Sequence, residues 1–256
     1  MKKQREFKVQ ILGVRVDFLT IKEALEWVEE QVKYNKVGQI TTPNPEQVVL
    51  AQKDEEFRRV LNEADLNICD GIGLVWAAKR KLKIKSEKLK VVNRLSGIDL
   101  MLEMCKLAGK KKWKIMLMGG KDGTAEKAAR SLEFKIKNYE LRIMFDNGAL
   151  NIKKESKKER EEIISKINKF KPNLLFVAYG APWQEKWIAK NLPKLKINVA
   201  MGVGGTFDYI SGWVGRAPQF VRKIGLEWLW RLVREPWRIK RQLSLVRFLW
   251  LLLYSQ

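Results

Sequence analysis

The sequence predicts an α/β protein with a Rossmann-like core of parallel strands and a helical, basic, tryptophan-rich C-terminal appendage. From about residue 7 to residue 205, short apolar runs alternate with amphipathic stretches, and nearly every run enters a turn that contains glycine or proline. After Gly205 the composition shifts abruptly toward tryptophan and arginine. We therefore divide the chain into a core, residues 1–205, and a C-terminal segment, residues 206–256.

The predicted strands are short apolar runs that end at turns, and they span residues 38–42, 66–69, 114–118, 174–178 and 198–201. The helices between them carry apolar residues at helical spacing. They span residues 21–34, 45–62, 97–108, 124–134 and 159–170. A basic stretch, residues 79–90, interrupts the alternation and is expected to be a solvated loop or a helix extension. In such a fold ligands bind outside the carboxyl ends of the strands, so the turns there should carry the function.

The composition excludes several classes of enzyme. The chain contains no histidine, and its two cysteines, Cys69 and Cys105, do not form a Cys-x-x-Cys pair. Hydrolysis by a Ser-His-Asp or Cys-His site, histidine-ligated zinc and structural zinc clusters therefore lack their residues. Any general base must be Asp, Glu, Lys or Tyr, and the carboxylates are the leading candidates.

The net charge of +22 indicates polyanionic partners, such as nucleic acid, an anionic membrane surface or phosphorylated substrates. Part of this charge lies in mixed Lys/Glu runs such as residues 153–162, which are typical of a solvated surface. The first ten residues lack an apolar signal core, and no stretch has the roughly 20 apolar residues that cross a bilayer. We therefore expect a cytoplasmic location.

Two predicted turns carry polar side chains suited to a site. Thr42 and Asn44 stand where a strand gives way to a helix, and there they could bind a phosphate or a sugar hydroxyl. Capping of that helix explains Asn44 equally well. Asp70 ends the next strand, directly before Gly71, and in a chain without histidine it is the best-placed general base. A simple Asp-Gly turn is the alternative interpretation.

Glycine-rich turns follow the remaining strands. Gly119 and Gly120 stand between a strand and a helix, where backbone N–H groups can hold a phosphate or a nucleotide sugar. This turn matches neither the Walker pattern nor G-x-G-x-x-G, which disfavours a kinase or an ordinary NAD enzyme. Gly204 and Gly205 also permit close approach to a ligand, and Gln184 lies near a helix start from which it could reach into a site.

The C-terminal segment combines arginine with apolar bulk. Four arginines recur at steps of three, four and three, which predicts one basic helix face with a kink at Pro236: Arg231, Arg234, Arg238 and Arg241. Tryptophans accompany them, and residues 243–254 form an apolar tail too short to span a bilayer. The pattern favours a helix that lies on an anionic membrane surface over a nucleic-acid interface or a plain solvated helix. Guanidinium groups also bind diphosphate.

Several motifs follow one another in order along nearly the whole chain. They are TPNP (42–45), DGIG (70–73), RLSGID (94–99), GGKDGTAE (119–126), YGAPWQE (179–185), GVGGTFD (202–208), RAP (216–218), GLEWLWRL (225–232) and EPWR (235–238). Together they resemble the WecG/TagA/CpsF glycosyltransferases, glycosyltransferase family 26, whose members make bacterial surface polymers. The basic stretch at residues 79–90 looks longer than is typical of that family.

The resemblance implies an inverting transfer of N-acetylmannosamine from its UDP donor to the 4-hydroxyl of GlcNAc in undecaprenyl-diphosphate-GlcNAc. Another UDP-sugar, such as glucose, glucuronic acid or N-acetylmannosaminuronic acid, is the alternative within the family. A membrane- or nucleic-acid-binding protein without activity and a nucleotide-dependent oxidoreductase are the rival hypotheses. We expect a peripheral location at the cytoplasmic face of the membrane, no nucleic-acid partner, and self-association in solution through exposed tryptophans.

The resemblance also implies a role for each site residue. Asp70 would be the base, while Arg231, Arg238 and Arg241 would close over the site when the segment docks on the membrane. These arginines would stabilise the diphosphate in place of a metal ion, since the chain has no Asp-x-Asp motif, and no cofactor is expected. The residues expected to bind substrate are Thr42, Asn44, Arg94, Gly119, Gly120, Gln184, Gly204, Gly205 and Asp208.

Overall fold

The computed structural model describes residues 7–82, 94–121, 123–223, 225–236 and 239–254. Over these residues the fold is α/β, with a six-stranded parallel sheet and a two-stranded antiparallel hairpin, so the predicted parallel core is confirmed. The strands are β1 (Phe7–Ile11), β2 (Val14–Phe18), β3 (Gly38–Thr41), β4 (Leu66–Asn67), β5 (Lys114–Gly119), β6 (Arg142–Asp146), β7 (Leu174–Ala178) and β8 (Val199–Gly202). The order in the large sheet is β4-β3-β8-β7-β5-β6.

Helices connect these strands and continue beyond them. In the core they are α1 (Ile21–Lys33), α2 (Pro45–Ala51), α3 (Glu55–Glu63), α4 (Ile72–Lys81), α5 (Gly97–Lys111), α6 (Thr124–Lys135), α7 (Lys157–Phe170) and α8 (Trp183–Asn191). In the C-terminal segment they are α9 (Thr206–Ile210), α10 (Gln219–Lys223), α11 (Glu227–Arg234) and α12 (Ile239–Tyr254). No helix in the described part of the chain is long and apolar enough to cross a membrane.

Both faces of the sheet are buried, because alternate strand residues enter different apolar clusters. Leu117 and Phe176 pack with α1, α5 and α6 on one face, whereas Met116 and Leu175 pack with α7 and α8 on the other. A third cluster lies under the β1–β2 hairpin and includes Phe248 of α12, which is 1% exposed. The last helix therefore packs against the core, and its burial holds the C-terminal segment next to α2.

The predicted strands all occur, with ends shifted by at most two residues. The single helix predicted for residues 45–62 is wrong, because α2 ends at Ala51 and α3 begins at Glu55. Asp54 causes the break: its side chain accepts a hydrogen bond from the N–H of Phe57 at 3.0 Å and caps α3. In the basic stretch, residues 79–81 extend α4, while residues 83–93 lie outside the described residues.

The basic helix face predicted to continue through a kink at Pro236 is also wrong, because the helix is broken there and not only kinked. Helix α11 ends at Arg234 and α12 begins at Ile239, since Pro236 provides no N–H and restricts the backbone of Glu235 before it. Arg238 lies outside the described residues. Arg241 falls within α12, and its side chain lies outside the described part.

Candidate active site

Asp70 lies just after β4, at the edge of the sheet where the parallel strands end. Its backbone N–H donates to the carbonyl oxygen of Pro43 at 3.0 Å, which joins the turn after β4 to the turn after β3. The Asp70 side chain is 27% exposed and opens into a cavity of about 370 Å³, which we call the Asp70 cavity. A carboxylate at this edge of a parallel sheet is placed to meet a ligand.

Two donors hold the Asp70 carboxylate. Arg94 Nε donates to Oδ1 at 3.2 Å, and the backbone N–H of Gly97, the first residue of α5, donates to Oδ2 at 3.2 Å. Burial raises the pKa of Asp70 above its ordinary value, Arg94 opposes part of that rise, and the negative charge of Glu227 adds to it. A carboxylate with a raised pKa accepts a proton more readily at neutral pH, which suits a general base.

Thr42 and Asn44 flank the Asp70 turn. Thr42 is buried, and its methyl carbon lies close to Gly97. A Cβ on Gly97 would stand 3.3 Å from that methyl carbon. Asn44 lines the Asp70 cavity, and its side-chain oxygen accepts from the N–H of Gln47 at 3.0 Å, so it caps α2. The capping interpretation of Asn44 is therefore confirmed, and the substrate contacts of both residues stay predictions.

An ion-pair chain runs from Asp70 into the C-terminal segment. Arg94 contacts Asp70 and also donates through Nη2 to Glu227 Oε2 at 2.8 Å. Glu227 Oε1 in turn accepts from Arg216 Nε at 3.4 Å. Arg216 then grips Asp99 on α5 with two hydrogen bonds, of 2.7 and 2.9 Å. This series of ion pairs joins the start of α11 to the start of α5, next to Asp70.

The C-terminal segment also supplies the apolar wall of the Asp70 cavity. Trp228 of α11 and Phe248 and Leu249 of α12 line it. The same cavity therefore has both charged groups, such as Asp70 and Arg94, and apolar side chains in its lining. A site of this kind suits a ligand that has both a hydroxyl-rich and a hydrocarbon part.

Arg231 lies between the Asp70 cavity and the turn after β8. Its guanidinium group stacks over the Tyr209 ring at 4.5 Å, and its Nε donates to Glu235 Oε2 at 2.7 Å. Its Nη2 is buried and has no hydrogen-bond partner among the described residues. That atom lies 2.9 Å from where a Cβ on Gly205 would stand. A buried guanidinium nitrogen in need of an acceptor is suited to bind a phosphate oxygen.

A second cavity, also about 370 Å³, lies at the ends of β5, β7 and β8. Its lining includes Gly120, Gly204 and Gly205, which we call the glycine cradle, together with Asp208 and Trp183. These glycines expose backbone atoms that side chains would otherwise cover.

Gly119 plays a different part from the cradle glycines. It has φ +87°, and a Cβ on it would stand 2.8 Å from the Tyr179 ring. It therefore lets Tyr179 pack across the end of β5, and its predicted substrate contact stays a prediction.

Gln184 is 2% exposed and joins the loops around the glycine cradle. Its Oε1 accepts from the N–H groups of Gly180 and Gly204 at 3.0 and 2.9 Å, and its Nε2 donates to Glu185 Oε1 at 2.7 Å. Glu185 is fully buried, and burial raises its pKa to about 7. In this structure Gln184 holds the two loops in place, and the substrate contact predicted for it stays a prediction.

Comparison with known proteins identifies the family. The model of the glycosyl transferase WecG/TagA/CpsF family matches residues 9–256. The chain belongs to this family. Relatives from Staphylococcus aureus strains MW2 and COL are both 31% identical over 245 residues, which is 95% of this chain and 91% of each relative. Both relatives are named N-acetylglucosaminyldiphosphoundecaprenol N-acetyl-beta-D-mannosaminyltransferase.

The family assignment confirms the resemblance that the motifs suggested, and the chain is a glycosyltransferase. Sequence reasoning about this WecG/TagA/CpsF protein nevertheless missed Asp99, Arg216, Glu227 and Glu185. Each of these lies inside a motif that was recognised, yet a local pattern gives no sign of which distant residue will pair with it. Among the described residues, no group of three or more His, Cys, Asp or Glu side chains could hold a metal ion.

Proposed function

We propose that this chain transfers N-acetylmannosamine from UDP-N-acetylmannosamine to the 4-hydroxyl of GlcNAc on undecaprenyl diphosphate, with inversion and without a metal ion. The names of the relatives support the substrates. The observation that carries the chemistry is the position of Arg231, which lines the Asp70 cavity and whose Nη2, without a hydrogen-bond partner among the described residues, lies against Gly205 of the glycine cradle. A base and a cation for the leaving group thus flank one space.

Asp70 is the base in this proposal. Its carboxylate takes the proton from the acceptor hydroxyl as that oxygen forms a bond to C1 of the donor sugar, and the bond from C1 to the diphosphate breaks. One attack from the face opposite the leaving group gives inversion. The raised pKa of Asp70 supports this role, since it brings the proton affinity of the carboxylate closer to neutral pH.

The glycine cradle holds the donor nucleotide in this proposal. Gly120, Gly204 and Gly205 let the diphosphate approach the backbone, and Arg231 stabilises the negative charge that UDP gains as it leaves. Gln184 keeps the cradle in shape by accepting hydrogen bonds from Gly204 of the cradle and from Gly180 in the neighbouring turn after β7. The cradle is therefore ready before the donor binds, which lowers the free energy that binding must spend on ordering.

The C-terminal segment, residues 206–256, docks on the membrane in this proposal. One side of α12 packs on the core through Phe248, while another side exposes large apolar residues. These are Leu243, Val246, Leu249, Trp250, Leu253 and Tyr254. An exposed apolar face of this size beside basic residues suits the interfacial region of an anionic bilayer. Docking there would bring the Asp70 cavity to the lipid acceptor.

Liposome flotation tests the docking. Val246→Glu, at a position that is 67% exposed, should reduce binding to anionic vesicles severalfold and leave turnover of a short-chain, water-soluble acceptor unchanged. Phe134→Glu on α6, at a position that is 69% exposed, is the matched control and should bind vesicles as the wild type does. Equal binding by all three proteins would refute docking through α12.

The reaction is tested by UDP release from UDP-N-acetylmannosamine with a short-chain lipid-diphosphate-GlcNAc acceptor. We expect release that continues in EDTA and disappears in Asp70→Asn. Loss of release in EDTA that magnesium restores would contradict metal independence. Absence of release with this donor, but release with UDP-glucose, UDP-glucuronic acid or UDP-N-acetylmannosaminuronic acid, would correct the donor and keep the enzyme class.

A further inference from the structure

Glu227, at the start of α11, has no role in the reaction proposed above, yet it contacts the arginine that holds the base. We infer that Glu227 is a positioning residue for the transfer. By binding one end of Arg94, it maintains the proton affinity of Asp70 while the C-terminal segment packs on the core. The inference rests on the proposed function only in that Asp70 is taken as the base.

The geometry shows how Glu227 acts. The Nε and Nη2 atoms of Arg94 form one edge of the guanidinium group, and such an edge normally binds a single carboxylate with two parallel bonds. Here the edge is divided: Nε donates to Asp70 at 3.2 Å, and Nη2 donates to Glu227 at 2.8 Å. Charge-assisted bonds of this type are usually 2.7–2.9 Å long, so Glu227 has the strong bond and Asp70 the weak one.

Glu227 is itself held in place by the core. Its other oxygen accepts from Arg216, which grips Asp99 with two bonds of 2.7 and 2.9 Å. Asp99 lies on α5, two residues after Gly97, whose N–H holds Asp70. Helix α5 therefore holds Asp70 through the N–H of Gly97. Through Asp99 and Arg216 it also holds Glu227, which competes with Asp70 for Arg94.

The charges around Asp70 give the direction of the effect. Arg94 faces it from the turn before α5, Glu227 from α11, and Cys69 from its own turn. Glu46 of α2 and Arg231 of α11 line the same cavity. Glu227→Gln would take away a like charge and weaken the bond made by Nη2, because an amide oxygen is a poorer acceptor than a carboxylate, so Nη2 becomes more available to the second oxygen of Asp70. Both changes lower the proton affinity of Asp70 and make it a weaker base.

The test is a pH titration of Asp70 in the full-length protein, followed by carbon NMR with labelled aspartate and assigned with Asp70→Asn. In Glu227→Gln we expect the midpoint of Asp70 to fall by about one pH unit relative to the wild type. The acidic limb of kcat/KM should move by the same amount, because the base must be unprotonated, and kcat should fall severalfold. Glu103→Gln, which removes a carboxylate from a surface pair with Lys106, should move neither.

An unchanged Asp70 midpoint in folded Glu227→Gln would overturn the inference. If that variant does not fold, as judged by circular dichroism, Arg216→Lys replaces it. Lysine cannot grip Asp99 with two parallel bonds, so Glu227 should loosen and the midpoint should fall by a smaller amount, and no fall would again overturn the inference. The titration needs no turnover, so inactive wild-type protein would count against the proposed function alone.

Discussion

The Asp70 cavity and the glycine cradle lie along the same edge of the sheet, but different forces hold them. Asp70 is fixed by ion pairs that join residues far apart in the chain, such as Arg94 with Glu227. The cradle is fixed by backbone N–H groups of Gly180 and Gly204, which donate to the buried amide of Gln184. The first arrangement depends on the C-terminal segment, while the second lies wholly within the core.

In the proposed function this difference separates two tasks. The rigid cradle would bind the donor in the absence of the acceptor, whereas Asp70, as the proposed base, would be complete only when the C-terminal segment packs on the core. Changes on the Asp70 side should therefore affect kcat, and changes on the cradle side should affect the KM of the donor. The four predictions below test this separation, from the largest expected effect to the smallest.

Asp70→Asn should have the largest effect, a fall in kcat of about a thousandfold, because the amide cannot accept the proton of the acceptor hydroxyl. The dissociation constant of UDP, measured by calorimetry, should stay within about twofold of the wild type, because the cradle does not contact Asp70. A large loss of UDP affinity would show that the two regions are not separate.

Arg231→Ala should lower kcat by about a hundredfold with a soluble acceptor, since the leaving diphosphate would lose a charged donor. Arg231→Lys should recover only part of the rate, because lysine lacks the planar fork. Arg234→Ala is the matched control on α11, since Arg234 stacks on Trp230 and not on Tyr209. Equal losses in Arg231→Ala and Arg234→Ala would indicate an effect on α11 as a whole.

Gly202→Ala should raise the donor KM by about tenfold, the factor that corresponds to about 1.4 kcal/mol, with a smaller change in kcat. A Cβ there would stand 2.8 Å from Gln184 Nε2, so the amide must move and release the loops of the cradle. Gly215→Ala is the control, because a Cβ at Gly215 would meet no atom of the described residues within 4 Å. An unchanged donor KM in Gly202→Ala would show that Gln184 does not shape the donor site.

The sequence predicted five of the six strands of the large sheet, but not β6 or the β1–β2 hairpin. The buried strands, such as Leu174–Ala178, are continuous apolar runs and were recognised for that reason. Strand β6, Arg142–Asp146, lies at the edge and is partly exposed, so its residues carry no such run. The β1–β2 hairpin turns at Leu12 and Gly13, which is a weaker turn signal than Asn-Gly.

The site was predictable where it depends on strand ends and not where it depends on distant pairs. Asp70, Gly120 and Gly204 follow parallel strands, and the geometry of such a sheet brings those ends together. Arg94 and Glu227 are 133 positions apart, and only the packing of the C-terminal segment on the core makes them neighbours. Local spacing predicted a helix that reaches Arg241 with a kink at Pro236, but the structure has two separate helices there.

Glu185→Gln should have the smallest effect on turnover, at most about twofold, because glutamine keeps an oxygen that can accept from Gln184 Nε2. Its effect should appear in stability. Burial raises the pKa of Glu185 from 4.5 to about 7, so the folded protein binds a proton more tightly than the unfolded chain. The free energy of unfolding should therefore fall by about 3 kcal/mol as the pH rises through that interval.

Glutamine does not titrate, so Glu185→Gln should lose this part of the pH dependence. Thermal unfolding followed from pH 4 to pH 8 should show a smaller decline in Tm for the variant than for the wild type, with a difference of several degrees. Glu103→Gln, on the surface of α5, should retain the decline of the wild type. Parallel curves for the wild type and Glu185→Gln would mean that the Glu185 carboxyl is ionised in the folded protein. Gln184, which holds Gly204 of the cradle, would then be bonded to a buried negative charge on Glu185, and the rigidity of the cradle would need another explanation.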